Sequence, residues 1–223
     1  MLTGGLSPTG DIVAAAYLFA LGRFFTALAG LDAASAFGGL GSLRDVAVAA
    51  IAEPVLVLAV MVLAAGVATS PDGAAMASVP AGMLSPWRLL AGAAFFIIVL
   101  TECARVPVDN PATHLELTMI HEAMLLEYSG RELACATAAA QVKQTVLLAM
   151  LASVFFPIGI AHVATPLAIG VAVVSFAAKL VVLAALIAVV ESTVAKLRLF
   201  RVPDFIGVAL GLAILGYVAR GAL

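Results

Sequence analysis

Residues Pro166–Val190 read PLAIGVAVVSFAAKLVVLAALIAVV, an unbroken apolar run with a single charge, Lys179. A helix needs about 20 mostly apolar residues to cross the hydrocarbon core of a bilayer, and this run exceeds that length. A lysine near mid-bilayer costs about 2.5–3.5 kcal/mol, whereas each Val, Leu, Ile or Phe contributes about 0.3–0.6 kcal/mol in favour of insertion, so the helix inserts with its lysine. Comparable stretches run from about Asp11 to Gly30, Val46 to Val67, Trp87 to Ala104, Glu132 to Phe156 and Pro203 to Ala219. The sequence predicts an all-α, polytopic transmembrane bundle of about six spans. No internal repeat or linker divides it, so residues 1–223 form one transmembrane domain.

Composition points the same way. The chain is 64% hydrophobic and 11% charged, where soluble domains sit near half and a quarter. A chain this short has too little interior to hide so much apolar surface from water. A net charge of −2 offers no electrostatic footprint for nucleic acid. Cys103 and Cys135 form no CxxC pair. His121-Glu122 opens an HExxH pattern, but the second histidine position holds Leu125, so the zinc-protease motif fails. His114 and His121 can share a helix face, yet no further metal ligands are indicated. Gly38-Gly39-Leu40-Gly41 lacks the Lys-Ser/Thr of a phosphate loop and reads as a loop between the first two spans, with Asp32 ending one helix and Asp45 starting the next. The chain is expected to hold no metal, no cofactor and no independent active site.

Lys and Arg in short loops mark the cytoplasmic side. Arg44 follows the first span, Arg105 and Arg131 the third, and Lys196, Arg198 and Arg201 the fifth, while 68–86 and 157–165 carry neither residue type. Six spans with both termini outside fit this bias. The loop after the third span, 105–130, concentrates Arg105, Asp109, His114, Glu116, His121, Glu122 and Glu127. Pro107 and Pro111 break helix at its start, and a short helix over 113–128 is expected beyond them. Its Leu, Met and Ile content argues against disorder, and its length argues for function, so it reads as a docking or proton-handling segment.

Glu53, Lys143 and Lys179 fall inside spans, and Arg23, Glu102 and Glu191 lie nearer their cytoplasmic ends. Intramembrane ionisable groups mark ion paths or paired charges. Glu53, Glu102, Lys143, Lys179 and Glu191 are therefore candidates for an acid–lysine proton relay, and equally for structural ion pairs that fix helix packing. Thr137, Gln141, Gln144 and Thr145 share one helix face by spacing, with Lys143 turned about 100° from Gln144.

The run ECARVPVDNPATHLELTMIHE, from Glu102 to Glu122, continuing through Glu127-Tyr128-Ser129-Gly130, resembles the signature loop of the respiratory complex I subunit 1 family. RFFTALAGLDAASAFGGLG from Arg23 to Gly41 is similar to a helix and following loop of that family, and ESTVAKLRLFRVP from Glu191 to Pro203 looks like its hydrogenase branch, the membrane subunits of formate hydrogenlyase and of energy-converting nickel–iron hydrogenases. The resemblance covers nearly the whole chain. Against the family pattern the chain starts late, without the first transmembrane helix, and Asn110 stands where many hydrogenase relatives carry Asp. The resemblance implies a non-redox, multi-pass subunit of the plasma (inner) membrane that docks a peripheral redox arm and links it to proton or ion translocation. Iron–sulfur clusters and a nickel–iron centre would sit in partner subunits: a hydrogenase large subunit and an iron–sulfur subunit, beside antiporter-like membrane subunits. The alternatives are an NADH–quinone oxidoreductase membrane subunit, a purely structural anchor, or a secondary transporter.

Overall fold

The computed structural model describes residues 12–64, 85–110, 118–155 and 165–221. They form helices α1 (Ile12–Asp32), α2 (Ala36–Ala64), α3 (Pro86–Glu102), α4 (His121–Leu125), α5 (Gly130–Phe155), α6 (Pro166–Thr193) and α7 (Val202–Gly221), with a 3-10 turn at Leu199–Arg201 before α7. No strand occurs among the described residues. Five helices, α1, α2, α5, α6 and α7, are long and apolar enough to cross a bilayer. At 17 residues α3 is about 26 Å long, the short limit for a span. The protein is thus an all-α, multi-pass membrane bundle.

Helix starts follow local chemistry. Pro86 and Pro166 occupy the first turns of α3 and α6, where a missing N–H costs nothing. Thr165 caps α6 by accepting from the Ala168 amide at 3.3 Å. At its other end α3 stops in a Schellman turn. Ala104 takes φ 49°, its N–H bonds Thr101 O at 3.2 Å, and the Arg105 N–H bonds Leu100 O at 2.9 Å.

The centre is a packet of α2, α3 and α7, with α1 and α4 against α2, and α5 and then α6 stacked outward from α3. Its buried faces are rich in small residues: Ala52 and Ala59 on α2, Ala91 and Ala94 on α3, Ala209 and Ala213 on α7. Lipid gives helices no hydrophobic reason to associate, so close backbone approach and van der Waals contact hold them. Gly216 illustrates the tightness, since a Cβ there would lie 3.1 Å from Trp87 O. By contrast α6 buries only Leu183 and Ile187 and exposes Val171, Val173, Val174, Val181 and Val182.

The structure corrects the expected reading at two places. First, α2 begins at Ala36, ten residues before the expected Val46, so the first inter-span loop shrinks to 33–35. Arg44 and Asp45 lie within α2, and Gly38-Gly39-Leu40-Gly41 is helix rather than loop. Its glycines make room: a Cβ on Gly41 would meet the Ala123 Cβ at 2.8 Å and Ile120 O at 2.9 Å. Second, among the described residues the helix expected over 113–128 is one short turn, His121–Leu125, with 118–120 and 126–128 outside it and His114 and Glu116 outside the described residues. That segment is also partly buried. Met119, Ile120, Ala123, Met124 and Leu125 are buried against α1 and α2. The short α3 explains this. Glu102 at its end meets Arg23, nine residues before the end of α1, so α3 stops about 14 Å short and leaves a recess that the loop fills.

Candidate proton-coupling site

The charges inside the bundle converge on Arg23. Its guanidinium lies 3.4 Å from Asp45 and donates at 2.9 Å to Glu53, both on α2, and it donates to Glu102 at the end of α3. Lys143 on α5 reaches the same Glu102 oxygen, Oε2, at 2.8 Å. Helix geometry makes this possible. Asp45 and Glu53 are eight residues apart and so lie on one stripe of α2, and Arg23 is long enough to bridge them to α3. The side chain of Glu102 is 4% exposed and that of Arg23 10%. Burying a charge costs several kcal/mol unless pairing and hydrogen bonds offset it, and here each cation has a carboxylate in contact. The count is unequal: Asp45, Glu53 and Glu102 face Arg23 and Lys143, three carboxylates to two cations. Such a cluster becomes electrically neutral by taking up one proton.

A second set of charges ties the loops at this end of the bundle together. Arg105 donates to Gln144 of α5 at 2.7 Å and lies 3.5 Å from Glu191 of α6. Asp109, 1% exposed, accepts from the Ile120 and His121 amides at 3.0 and 3.1 Å through Oδ2, and its Oδ1 meets Lys196 at 3.0 Å. The Leu197 amide donates to Pro107 O at 2.8 Å. Arg44 donates to Met119 O at 3.0 Å and Tyr128 to Ala29 O at 2.9 Å. The loop is therefore fastened to α1, α2, α5 and the segment between α6 and α7.

Two cavities adjoin these groups. One of about 300 Å³ opens between α1 and α5 and is lined by Phe19, Arg23, Glu102, His121, Ala139 and Lys143, among others. A smaller one of about 80 Å³ is lined by Arg105, Asp109, His121, Glu122, Gln141 and Gln144 with small residues between them.

Of the sequence candidates, Glu53, Glu102 and Lys143 come together around Arg23, Glu191 pairs with Arg105 at the loop, and Lys179 stands on α6 and lines neither cavity. Among loop candidates, Arg105, Asp109, His121 and Glu122 line the smaller cavity, and Glu127 is exposed just past α4. Two members of the cluster are missing from the sequence candidates. Arg23 reads as an interfacial side chain and is the hub, and Asp45 reads as a helix start and is its ligand. The signal for both is a lone arginine in one span facing two acids at stripe spacing in the next. On α5 the expected polar face contributes Gln144, which accepts from Arg105, and Gln141, which lines the smaller cavity, while Thr137 and Thr145 are exposed. No cluster of three metal-ligating side chains occurs among the described residues.

A family model described as NADH dehydrogenase matches residues 4–220. The chain is 31% identical over 214 residues to hydrogenase-4 component C of Escherichia coli (strain K12), covering 94% of this chain and 66% of that protein. It is 33% identical over 218 residues to formate hydrogenlyase subunit 4 of the same organism, covering 96% and 69%. The chain thus spans about two thirds of the length of these curated relatives. With the apolar helices and the loop signature, these matches establish that the chain belongs to the NADH dehydrogenase (complex I subunit 1) family of membrane subunits.

Proposed function

We propose that this chain is the membrane-anchoring and coupling subunit of a complex I-like nickel–iron hydrogenase of the formate hydrogenlyase type, seated in the plasma (inner) membrane. Its inner loop docks the peripheral hydrogenase large and iron–sulfur subunits, and its buried charges link their redox chemistry to proton movement toward antiporter-like neighbours. The observation that carries this reading is the cluster of three carboxylates on two cations, one group away from the inner loop. A set of purely structural pairs needs no surplus acid, whereas a coupling site needs a group that gains and loses a proton. Coulomb interactions are strong where screening is weak, so displacement of the loop at Asp109 or Arg105 changes the balance at Glu102 without direct contact.

Glu53 tests this, because Glu53→Gln removes one carboxylate and leaves two acids on two bases. In membrane vesicles holding the assembled complex, the expected result is hydrogen evolution with fewer protons moved per hydrogen formed. An unchanged ratio with intact assembly takes Glu53 out of the path. The same preparation tests anchoring, since affinity purification through this chain should bring down iron–sulfur subunits.

A further inference from the structure

Glu102, whose side chain is 4% exposed, needs a route to water, and the two cavities mark one. Four residues line both: Cys103, Ala104, His121 and Ala140. Imidazole is the one side chain among these that ordinarily exchanges a proton near neutral pH. On one side of His121 is the small cavity, walled by Arg105, Asp109, Glu122 and two glutamines. On the other is the large cavity, where Glu102 is found. Glu102 Oε2 takes both Arg23 and Lys143, while its Oε1 is buried with no hydrogen-bond partner among the described residues. A buried carboxylate oxygen without a protein donor calls for water or another donor, and a cavity of about 300 Å³ has room for several waters. Asp109 fixes the backbone of His121 by accepting its N–H, so the ring is held at this boundary rather than left on a free loop.

We propose that His121 is the proton inlet of the buried cluster, passing protons from the polar antechamber through cavity water to Glu102. This rests on the coupling reading above. In the step, the imidazolium gives one proton through water to the carboxylate cluster, which becomes neutral, and the neutral ring then regains a proton from water in the antechamber. The charged and titratable groups that line the two cavities with His121 are Arg23 of α1, Asp45 of α2, Glu102 and Cys103 at the end of α3, Arg105, Asp109 and Glu122 of the loop, and Lys143 of α5.

The test uses membrane vesicles with the assembled complex carrying His121→Ala and, separately, His121→Gln. Proton translocation is expected to fall by about a hundredfold, the low end of what a positioned acid–base group contributes. Added imidazole should restore it in His121→Ala, where the ring leaves space, and not in His121→Gln. Wild-type translocation in both variants overturns the inlet, as does a loss that imidazole fails to restore, or failure of both variants to assemble, which makes His121 a folding residue. Glu53→Gln run in parallel separates the two claims. If it lowers the proton ratio while His121→Ala does not, coupling stands and the inlet falls. If it has no effect, the coupling reading itself fails.

Discussion

Arg23 and Glu102 show how a membrane protein keeps charges it cannot hydrate. Each is buried, and each touches more than one opposite charge, so neither stands alone in low dielectric. Removing one member of a buried pair costs about 3–5 kcal/mol, because the other is left uncompensated. Glu102→Ala, which sets Arg23 and Lys143 near one another with no acid between them, should destabilise the purified protein by about that amount. Glu102→Gln keeps an acceptor for both and should cost less. Thermal unfolding in detergent compares the two, and equal losses would mean that packing rather than charge is what Glu102 supplies. At this scale the sequence was partly legible. Glu53, Glu102 and Lys143 stand out because charges are rare in apolar spans. Which one meets which does not follow, because it depends on where α3 ends relative to α1, and Lys179 looks equally deep yet takes no place in either cavity.

At the scale of elements, the decisive feature is the shortness of α3. The Schellman turn at Ala104 ends it and sends Arg105 sideways to α5 and α6, and the following loop drops onto glycines of α1 and α2. A non-glycine residue at φ 49° is tolerated at a cost of about 1–2 kcal/mol, and a β-branched one fits far worse. Ala104→Val should therefore lower thermal stability and raise proteolysis in the loop, and Ala104→Gly should not. Gly41→Leu should expel α4, because even a Cβ there overlaps Ala123 and Ile120 O. Limited proteolysis near His121 reads this directly, and a cleavage rate like that of the wild type would contradict the packing. The spans themselves were legible from apolar length, because the bilayer sets that length. The start of α2 was not, because Gly38, Gly39 and Gly41 resemble a loop in water but serve helix packing in a membrane.

Across the whole molecule, α1 and α5 leave a cavity beside the compact centre of α2, α3 and α7, and that cavity reaches the charges around Arg23. On the proposed reading, loop, antechamber, imidazole, cavity and carboxylate cluster form one series, through the four residues that line both cavities. The loop signature identified the family from sequence, since motifs of that length do not recur by chance, but it could not place the loop inside the bundle. The central claim is that the cluster around Arg23 gains and loses a proton as the docked redox arm turns over. Redox-difference infrared spectroscopy of the assembled complex measures this most directly, because a protonated carboxyl absorbs apart from a carboxylate. The account predicts a protonated-carboxyl band that changes on reduction and is altered or lost in Glu53→Gln and Glu102→Gln. The same band unchanged in both variants, or no carboxyl change at all in an active complex, would contradict it.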